Sequence, residues 1–255
     1  MLGLIIAFKD YSPANGIFAS QWVGFKYFTQ FFSSFQFGTT MFNTLKISLY
    51  SIVVGFPLPI ILAIISNQLR VGKFRKIFQV TTYLPHFIST MVMCGMIILF
   101  LSPTSGLLAN VFKSIGITIP DFLSKPSHFA GVYVWSDVWQ HIGWDSIIYL
   151  AALSAIDPTY YEAATMDGAS RLQKIRHIEL PLLLPTAMIL LILRAGSLLS
   201  VGFEKVLLLQ NPLNLAGSEI ISTYVYKVGM VNFQYSYSTA IGLSLIHISE
   251  PTRPR

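Results

Sequence analysis

The sequence predicts an all-α integral membrane protein, and three observations support this fold class. Hydrophobic residues make up 53% of the 255-residue chain and charged residues only 11%, whereas about a quarter of the residues in soluble proteins are charged. The apolar residues form four runs of roughly 20 residues or more, the length that a helix needs to cross the hydrocarbon core. The basic residues are concentrated in short gaps between these runs, as they are in the loops of membrane proteins.

The four apolar runs are predicted to be transmembrane helices, because the backbone groups of a span must satisfy one another inside the bilayer. They cover residues 40–67, 77–101, 132–156 and 180–199. Prolines at positions 57, 59 and 85 predict kinks in the first two. A fifth apolar run begins at Tyr237 and stops after about a dozen residues, which is too short to span. Residues 1–8 are apolar without the features of a signal peptide, and we interpret them as the end of a further span.

The distribution of basic residues predicts which loops face the cytoplasm. Two short connections, 67–76 and 157–181, are rich in cations. These cations are Arg70, Lys73, Arg75, Lys76, Arg171, Lys174 and Arg176. The longer loops at 9–38, 102–131 and 204–236 carry two lysines each, so the positive-inside rule places them outside and the two basic connections in the cytoplasm. The net charge of +6 is thus loop charge, and we expect no nucleic-acid partner.

The sequence offers no constellation for catalysis or metal binding. A phosphate-binding loop around Lys73 fails, since Asn67 replaces its first glycine and Phe74 its hydroxyl residue. The five histidines lack the spacing of a zinc protease motif, and the single cysteine, Cys94, cannot build a thiolate site. A Gly-Ser pair at 196–197 is more typical of helix packing than of an intramembrane protease. We therefore expect no enzyme, no bound metal and no cofactor.

The span 132–156 carries several polar side chains, and polar groups in a span commonly face a bundle interior or a wet cavity. Asp137, His141 and Asp145 are spaced four apart and share one helical face, with Trp139 and Trp144 among them. Carboxylates beside aromatic rings suit a sugar, which has hydroxyl groups and an apolar ring face. Two interpretations stay open: a solute path, or an interfacial position for Asp137 with the tryptophans in an aromatic belt.

Arg194 lies at about mid-depth of the next span. A cation at this depth needs a partner, and it either contacts the solute or pairs with a carboxylate such as Asp145, the role that we favour. The candidate residues of a solute path are Trp139, His141, Trp144, Asp145 and Arg194.

The segment 157–181 is polar although it lies between two apolar spans. Asp157 and Pro158 predict a helix start, as N-cap and first helical residue, and Gly168 permits a sharp turn. A second, short helix with a stripe of apolar residues is expected to follow and to end at Pro181. A basic amphipathic helix on anionic lipid would explain the cations, but not a Glu-Ala-Ala patch at a fixed distance from a turn glycine.

The segment contains Glu162-Ala163-Ala164, then Gly168 after three residues, and Ile178, Leu180 and Pro181 after a further nine. This pattern resembles the EAA loop of the permease subunits of bacterial ABC importers. The match is complete at every motif position. The resemblance implies that the loop docks into a cleft of an ATPase subunit: Glu162 pairs with basic residues there, the alanines pack closely and Gly168 forms the bend. The residues expected to couple the chain to the ATPase are Glu162, Ala163, Ala164, Asp167, Gly168, Ile178, Leu180 and Pro181.

Further stretches are similar to the carbohydrate-uptake branch of this family, specifically to permeases for oligosaccharides and polysaccharide fragments. They are GLIIAFKDYSP (3–13), WVGFKYF (22–28), YLPHFIS (83–89), GWDSIIYLAALSAIDP (143–158) and VGFEKVLLLQNPL (201–213). The resemblance covers about residues 2–243 and implies one membrane domain with the six-helix type I importer fold, its first and last spans incomplete here. Residues 244–255 do not resemble the closing helix of the family and are expected to be a non-native tail.

The resemblance implies a permease subunit in the bacterial plasma membrane that forms the path for a carbohydrate. Its implied partners are cytoplasmic ABC ATPase subunits, a second permease subunit, an extracellular sugar-binding lipoprotein and membrane lipid. Importers of peptides, amino acids or ions are the alternative within the same class. A membrane-embedded enzyme or a scaffold is the alternative outside it.

Overall fold

The computed structural model describes residues 2–104, 106–114, 116 and 120–249, and nearly all regular structure within them is helical. The α-helices are α1 (Gly16–Ala19), α2 (Lys26–Phe32), α3 (Phe35–Gly55), α4 (Pro57–Gln68), α5 (Lys73–Tyr83), α6 (Thr90–Leu101), α7 (Leu107–Ser114), α8 (Pro126–Ser154), α9 (Pro158–Met166), α10 (Arg171–Lys174), α11 (Leu180–Gly196), α12 (Phe203–Leu209), α13 (Leu215–Ser218), α14 (Ile221–Tyr226) and α15 (Tyr235–Ser249). Stretches of 3₁₀-helix cover Leu2–Phe8 and Leu84–Phe87, and π-helical turns cover Ile175–Glu179 and Lys227–Val231. Two short antiparallel strands, β1 (Lys9–Asp10) and β2 (Gln21–Trp22), complete the described elements.

Two helical runs in the described part of the chain are long and apolar enough to cross a membrane. They are Phe35–Gln68, which joins α3 to α4, and Arg171–Gly196, which joins α10 to α11. The predicted span 40–67 lies within the first run, and the predicted span 180–199 is helical as far as Gly196. Helix α8 has 29 residues, which at about 1.5 Å each exceed the thickness of the hydrocarbon core, but its polar residues make it less apolar than these two.

The predicted span 77–101 is not one helix. The helical stretches Lys73–Phe87 and Thr90–Leu101 meet at an angle of 98°, and Ile88, between them, has an extended backbone (φ −75°, ψ 127°). The buried side chain of Gln140 donates a hydrogen bond of 2.8 Å to the carbonyl oxygen of Ile88. Such a bond satisfies a backbone group that the break removes from the helical ladder, so a residue 52 positions away stabilises the break.

The predicted end of a helix at Pro181 is wrong, because the helix that begins at Arg171 continues to Gly196. In a regular α-helix, a proline removes one hydrogen bond and its ring clashes with the carbonyl group four residues earlier. Here the wider π turn Ile175–Glu179 ends two residues before Pro181, and the intervening Leu180 N–H donates to the carbonyl oxygen of Ile175. The short polar helix and the following span are thus one continuous element.

Two predictions concern the ends of the chain, and both stay predictions: residues 1–8 as the end of a further span, and residues 244–255 as a non-native tail. Residues 2–8 form a 3₁₀-helix, and helix α15 includes residues 244–249 of the expected non-native tail. The remaining tail residues, 250–255, lie outside the described residues.

The chain forms two compact units, and the candidate functional residues all lie in the second. The first unit comprises Met1–Leu49, Cys94–Tyr133 and Gly196–Arg255, with a buried core of Phe31, Ile221, Val228, Tyr237 and Ile241. The second comprises Tyr50–Met93 and Val134–Ala195. Its core consists of Ala63, Tyr149, Leu153, Leu183 and Ala187. These five residues come from α4, α8 and α11, which therefore form the scaffold of both candidate sites.

Gly143 allows α8 to approach α5 closely in the second unit. A Cβ at this position would collide with the backbone carbonyl group of Thr82, which cannot rotate away as a side chain would. We expect Gly143→Ala to lower the midpoint of thermal unfolding of the purified protein by about 2–10 °C, as overpacking does. Gly131→Ala is the control on the same helix, since nothing lies within 4 Å of its added Cβ. An equal loss in both variants would contradict the close approach.

Candidate functional site

The polar segment 157–181, here called the hairpin, begins with a capped helix. The Asp157 backbone is extended (φ −61°, ψ 126°) and its carboxylate accepts a hydrogen bond of 2.9 Å from the N–H of Thr159. This backbone hydrogen bond lowers the pKa of the Asp157 carboxyl group from its ordinary value. Pro158 takes the first helical position, where no hydrogen-bond donor is needed. The helix start predicted from these two residues is confirmed.

Gly168 forms the turn between the two arms of the hairpin. Its φ is +74°, in the left-handed region that favours glycine. Gly168 N–H donates to the carbonyl oxygen of Thr165 at 3.1 Å, and Ala169 N–H donates to that of Ala164 at 2.9 Å. This pair of bonds is the Schellman motif that commonly ends helices. The predicted turn is confirmed, and its requirement is conformational, because nothing lies within 4 Å of a Cβ added at Gly168.

Local hydrogen bonds start the second arm and tie it to the first. Ser170 accepts a bond of 3.4 Å from the N–H of Gln173, and the Gln173 side chain accepts one of 2.7 Å from the N–H of Ser170, which is a capping box. Across the turn, Lys174 Nζ lies 2.6 Å from Thr165 Oγ1 and donates to it. All these partners lie within ten positions of one another, so the hairpin conformation is set largely by its own sequence.

Most of the predicted coupling residues are on the surface of the hairpin. The exposed ones are Glu162, Ala163, Asp167, Gly168, Leu180 and Pro181, whereas Ala164 and Ile178 are half-buried. Met166 and Leu172 are also strongly exposed, at 89% and 73% of their surface. In the described part of the chain, Glu162 has no cation within ion-pair distance. The hairpin therefore presents small, apolar and acidic groups together.

Glu179, in the π turn of the second arm, is fully buried and was not singled out from the sequence. Its Oε1 accepts hydrogen bonds from Asn67 Nδ2 at 3.1 Å, Gln68 Nε2 at 2.8 Å and the hydroxyl group of Tyr161 at 3.3 Å. Burial, and then the charge of Glu179, raise the pKa of Tyr161 to about 12, as expected for a phenol that donates its proton to a carboxylate. One carboxylate thus joins the end of α4 to both arms of the hairpin.

A second group of polar side chains surrounds the middle of α8. The imidazole ring of His86 stacks on the indole of Trp144, with ring centroids 4.4 Å apart and planes 2° apart, and its edge faces His141 at 5.3 Å. His141 Nδ1 lies 3.0 Å from the carbonyl oxygen of Asp137 and 3.4 Å from its carboxylate. His86 Nδ1 is buried and has no hydrogen-bond partner among the described residues. The structure therefore places His86 beside His141 and Trp144, two of the residues predicted for the solute path.

Arg194 reaches this part of α8, but its closer partner is a backbone carbonyl group. Its Nη1 donates to the carbonyl oxygen of Gly55 at 3.0 Å and lies 4.0 Å from the Asp145 carboxylate. In an α-helix the Gly55 carbonyl would accept from the N–H of residue 59, which is proline and has none. The guanidinium group supplies the missing donor. A Cβ on Gly55 would lie 3.2 Å from Arg194 Nη2, so any larger residue here would require the guanidinium group to shift.

Trp139 is the one predicted path residue that lies apart. It is 51% exposed, and at 100° per residue it lies about 200° around α8 from His141. Among the described residues, no three His, Cys, Asp or Glu side chains are grouped as a metal site.

Comparison with known proteins identifies close relatives of this sequence. The family described as "Binding-protein-dependent transport system inner membrane component" matches residues 55–249. Protein LplB of Bacillus subtilis (strain 168) is 41% identical over 243 residues, which cover 95% of this chain and 76% of LplB. The polygalacturonan/rhamnogalacturonan transport system permease protein YteP of the same strain is also 41% identical over 243 residues, with the same coverage of both chains.

Solved structures are similar as well. The crystal structure of a bacterial ABC transporter involved in the import of the acidic polysaccharide alginate contains a chain with a TM-score of 0.90 and 40% identity. The match covers 98% of this chain and 84% of the solved one. A second structure shows the alginate transporter in complex with an alginate pentasaccharide-bound periplasmic protein, and it matches with a TM-score of 0.89. Identity and coverage at this level extend the likeness beyond the fold.

Proposed function

Since this chain belongs to the family of binding-protein-dependent transport system inner membrane components, we propose that it forms part of the membrane path through which an oligosaccharide is imported. It is a permease subunit of an ABC importer in the bacterial plasma membrane, and not an enzyme, and it has the all-α type I importer fold. The observation that carries this function is the match, over almost the whole chain, to the alginate importer.

The proposed importer needs partners, because this chain supplies the path and not the ATP hydrolysis. They are two cytoplasmic ATPase subunits, a second permease subunit and an extracellular binding protein that delivers the sugar. A complex between transporter and sugar-loaded binding protein is known for the alginate system, which supports the same arrangement here. ATP-driven closure of the ATPase subunits then moves the spans and opens the path alternately to the two sides.

The hairpin is the proposed contact with the ATPase. Glu162 offers an exposed carboxylate for a cation of that subunit, Ala163 and Ala164 allow close approach, and Gly168 bends the backbone. The proposed contact surface also includes Asp167, Ile178, Leu180 and Pro181. Because the second arm continues into the span Arg171–Gly196, a displacement of the hairpin is passed directly to a membrane helix.

The proposed solute path follows the polar face of α8. Asp145 can accept hydrogen bonds from sugar hydroxyl groups, Trp144 offers a ring for an apolar sugar face, and His141 and Arg194 can donate. His86, stacked on Trp144, joins this proposed set. The role of Trp139 in the solute path stays a prediction, since this residue lies on another face of the helix.

Uptake by the assembled importer tests this function. We expect proteoliposomes that contain this chain, its partner permease and the ATPase subunits to accumulate a labelled uronate oligosaccharide, in a manner that depends on ATP and on the binding protein. A tripeptide serves as the alternative cargo. Accumulation of the tripeptide but of no oligosaccharide would overturn the carbohydrate cargo, and catalytic activity of the purified chain alone would overturn its role as a permease.

A further inference from the structure

The buried carboxylate of Glu179 lies between the hairpin and the end of α4. Its three hydrogen-bond donors come from two elements, the last residues of α4 and the helix α9 in the first arm of the hairpin. Glu179 itself belongs to the second arm. The donors are two amides and a phenol, and no cation lies within ion-pair distance in the described part of the chain. A buried carboxylate is costly without a charged partner. The three donors offset part of this cost at Oε1, whereas Oε2 is buried without a hydrogen-bond partner among the described residues.

Glu179 lies next to the apolar core of the second unit, on the side of the hairpin. It precedes Leu183 and Ala187 by four and eight residues, so these three side chains lie on one face of the helix. Asn67 follows Ala63 by four residues on α4. Ala63, Leu183 and Ala187 belong to the same buried cluster. Helix α4 therefore contacts the helix Arg171–Gly196 through apolar side chains in the core. At the end nearest the hairpin, the contact consists of the Glu179 hydrogen bonds.

We propose that Glu179 is a positioning residue that locks the hairpin to the end of α4, so that both arms and this helix move as one body when the ATPase moves the hairpin. This inference rests on the proposed function. The first arm, α9, is attached in sequence to α8 and, through the turn at Gly168, to the second arm. Its link to α4 passes through Glu179, which accepts from Tyr161 of α9 and from the two amides at the end of α4. Without this link a movement of α9 is absorbed by the connection at 155–157 and the turn at Gly168 instead of reaching α4.

The test compares Glu179→Leu with Glu179→Gln in the reconstituted importer. Leucine has a similar volume but accepts no hydrogen bond, whereas glutamine keeps the shape and one acceptor oxygen. We expect Glu179→Leu to lower the number of sugars imported per ATP hydrolysed about fivefold or more, since mutations in coupling networks have effects of this order. ATP hydrolysis itself should persist, and Glu179→Gln should retain most of the wild-type ratio. Tyr161→Phe should lower the ratio and add little in the Glu179→Leu background.

A control separates this role from simple structural support. Asn43 is also buried and bonds two carbonyl groups, those of Ala216 and Glu219, but it lies in the first unit. Asn43→Leu should lower the midpoint of thermal unfolding without changing the ratio of sugar to ATP. The proposal is overturned if Glu179→Leu lowers thermal stability but leaves this ratio intact.

Two further results keep the test decisive. If Glu179→Leu does not assemble, Tyr161→Phe is measured alone, and an unchanged ratio in that variant overturns the proposal. If the wild-type assembly imports no oligosaccharide, the proposed function fails. An active wild type with unaffected variants overturns only the role of Glu179.

Discussion

Gly168→Val in the assembled importer is expected to reduce sugar uptake about tenfold or more, although the permease still inserts into the membrane. A non-glycine residue in the left-handed region costs about 1–2 kcal/mol, and a β-branched residue is disfavoured there most. The backbone can avoid this cost by giving up the bonds of Gly168 and Ala169 that close the turn. Because 1.4 kcal/mol corresponds to about a factor of ten, even a modest preference for another turn leaves few hairpins in the docking conformation.

The matched control is Gly168→Asn, since asparagine adopts the left-handed region several times more readily than other side chains. Nothing lies within 4 Å of the added Cβ, so both variants fit sterically and differ mainly in backbone preference. We expect Gly168→Asn to retain most of the uptake. Amounts of protein in the membrane and ATP hydrolysis with loaded binding protein should be measured in parallel. Equal uptake by the valine variant and the wild type would refute a role of this turn in coupling.

The hairpin turn was predictable from sequence because its contacts are local. The cap at Asp157 involves residues two positions apart, and the bonds that close the turn at Gly168 span three and five positions. Pairings of this kind depend on the identity of neighbouring residues, which the sequence states directly. The same holds for the two long apolar helices, whose length and composition alone indicate a membrane span.

The break at Ile88 and the role of Glu179 were not predictable in this way. Pro85 predicts a kink in this span, but neither the 98° bend nor its position at Ile88 follows from the proline, since the hydrogen bond that stabilises the break comes from Gln140 in another helix. The Glu179 donors Asn67 and Gln68 are more than 110 positions away. In the sequence, a glutamate before an apolar span predicts an exposed charge at the end of a helix. Only the fold shows that the two amides lie beside it. His86 was overlooked for the same reason, because its partner Trp144 is also distant in sequence.

Arg194→Met is expected to destabilise the permease, and we attribute most of the loss to the carbonyl group of Gly55. Gly55 is buried, its helical donor is absent because residue 59 is proline, and Arg194 Nη1 supplies the replacement at 3.0 Å. Removal of this donor leaves a buried carbonyl unsatisfied, at a cost of about 1–3 kcal/mol. Methionine keeps an unbranched apolar chain in the same space. The measurement is the midpoint of thermal unfolding in detergent, together with sugar uptake.

Second-site variants identify which partner of Arg194 carries this stability. Pro59→Ala restores an N–H four residues after Gly55, so the loss caused by Arg194→Met should be clearly smaller in the Pro59→Ala background than in the wild type. Asp145→Asn removes the carboxylate charge that lies 4.0 Å from Nη1 of Arg194. It should rescue less, because the longer distance makes the weaker contact. Rescue by Asp145→Asn and none by Pro59→Ala would show that Arg194 compensates a charge instead. Comparison of the double variants with both single ones isolates the interaction from the separate effects of removing a proline or a carboxylate.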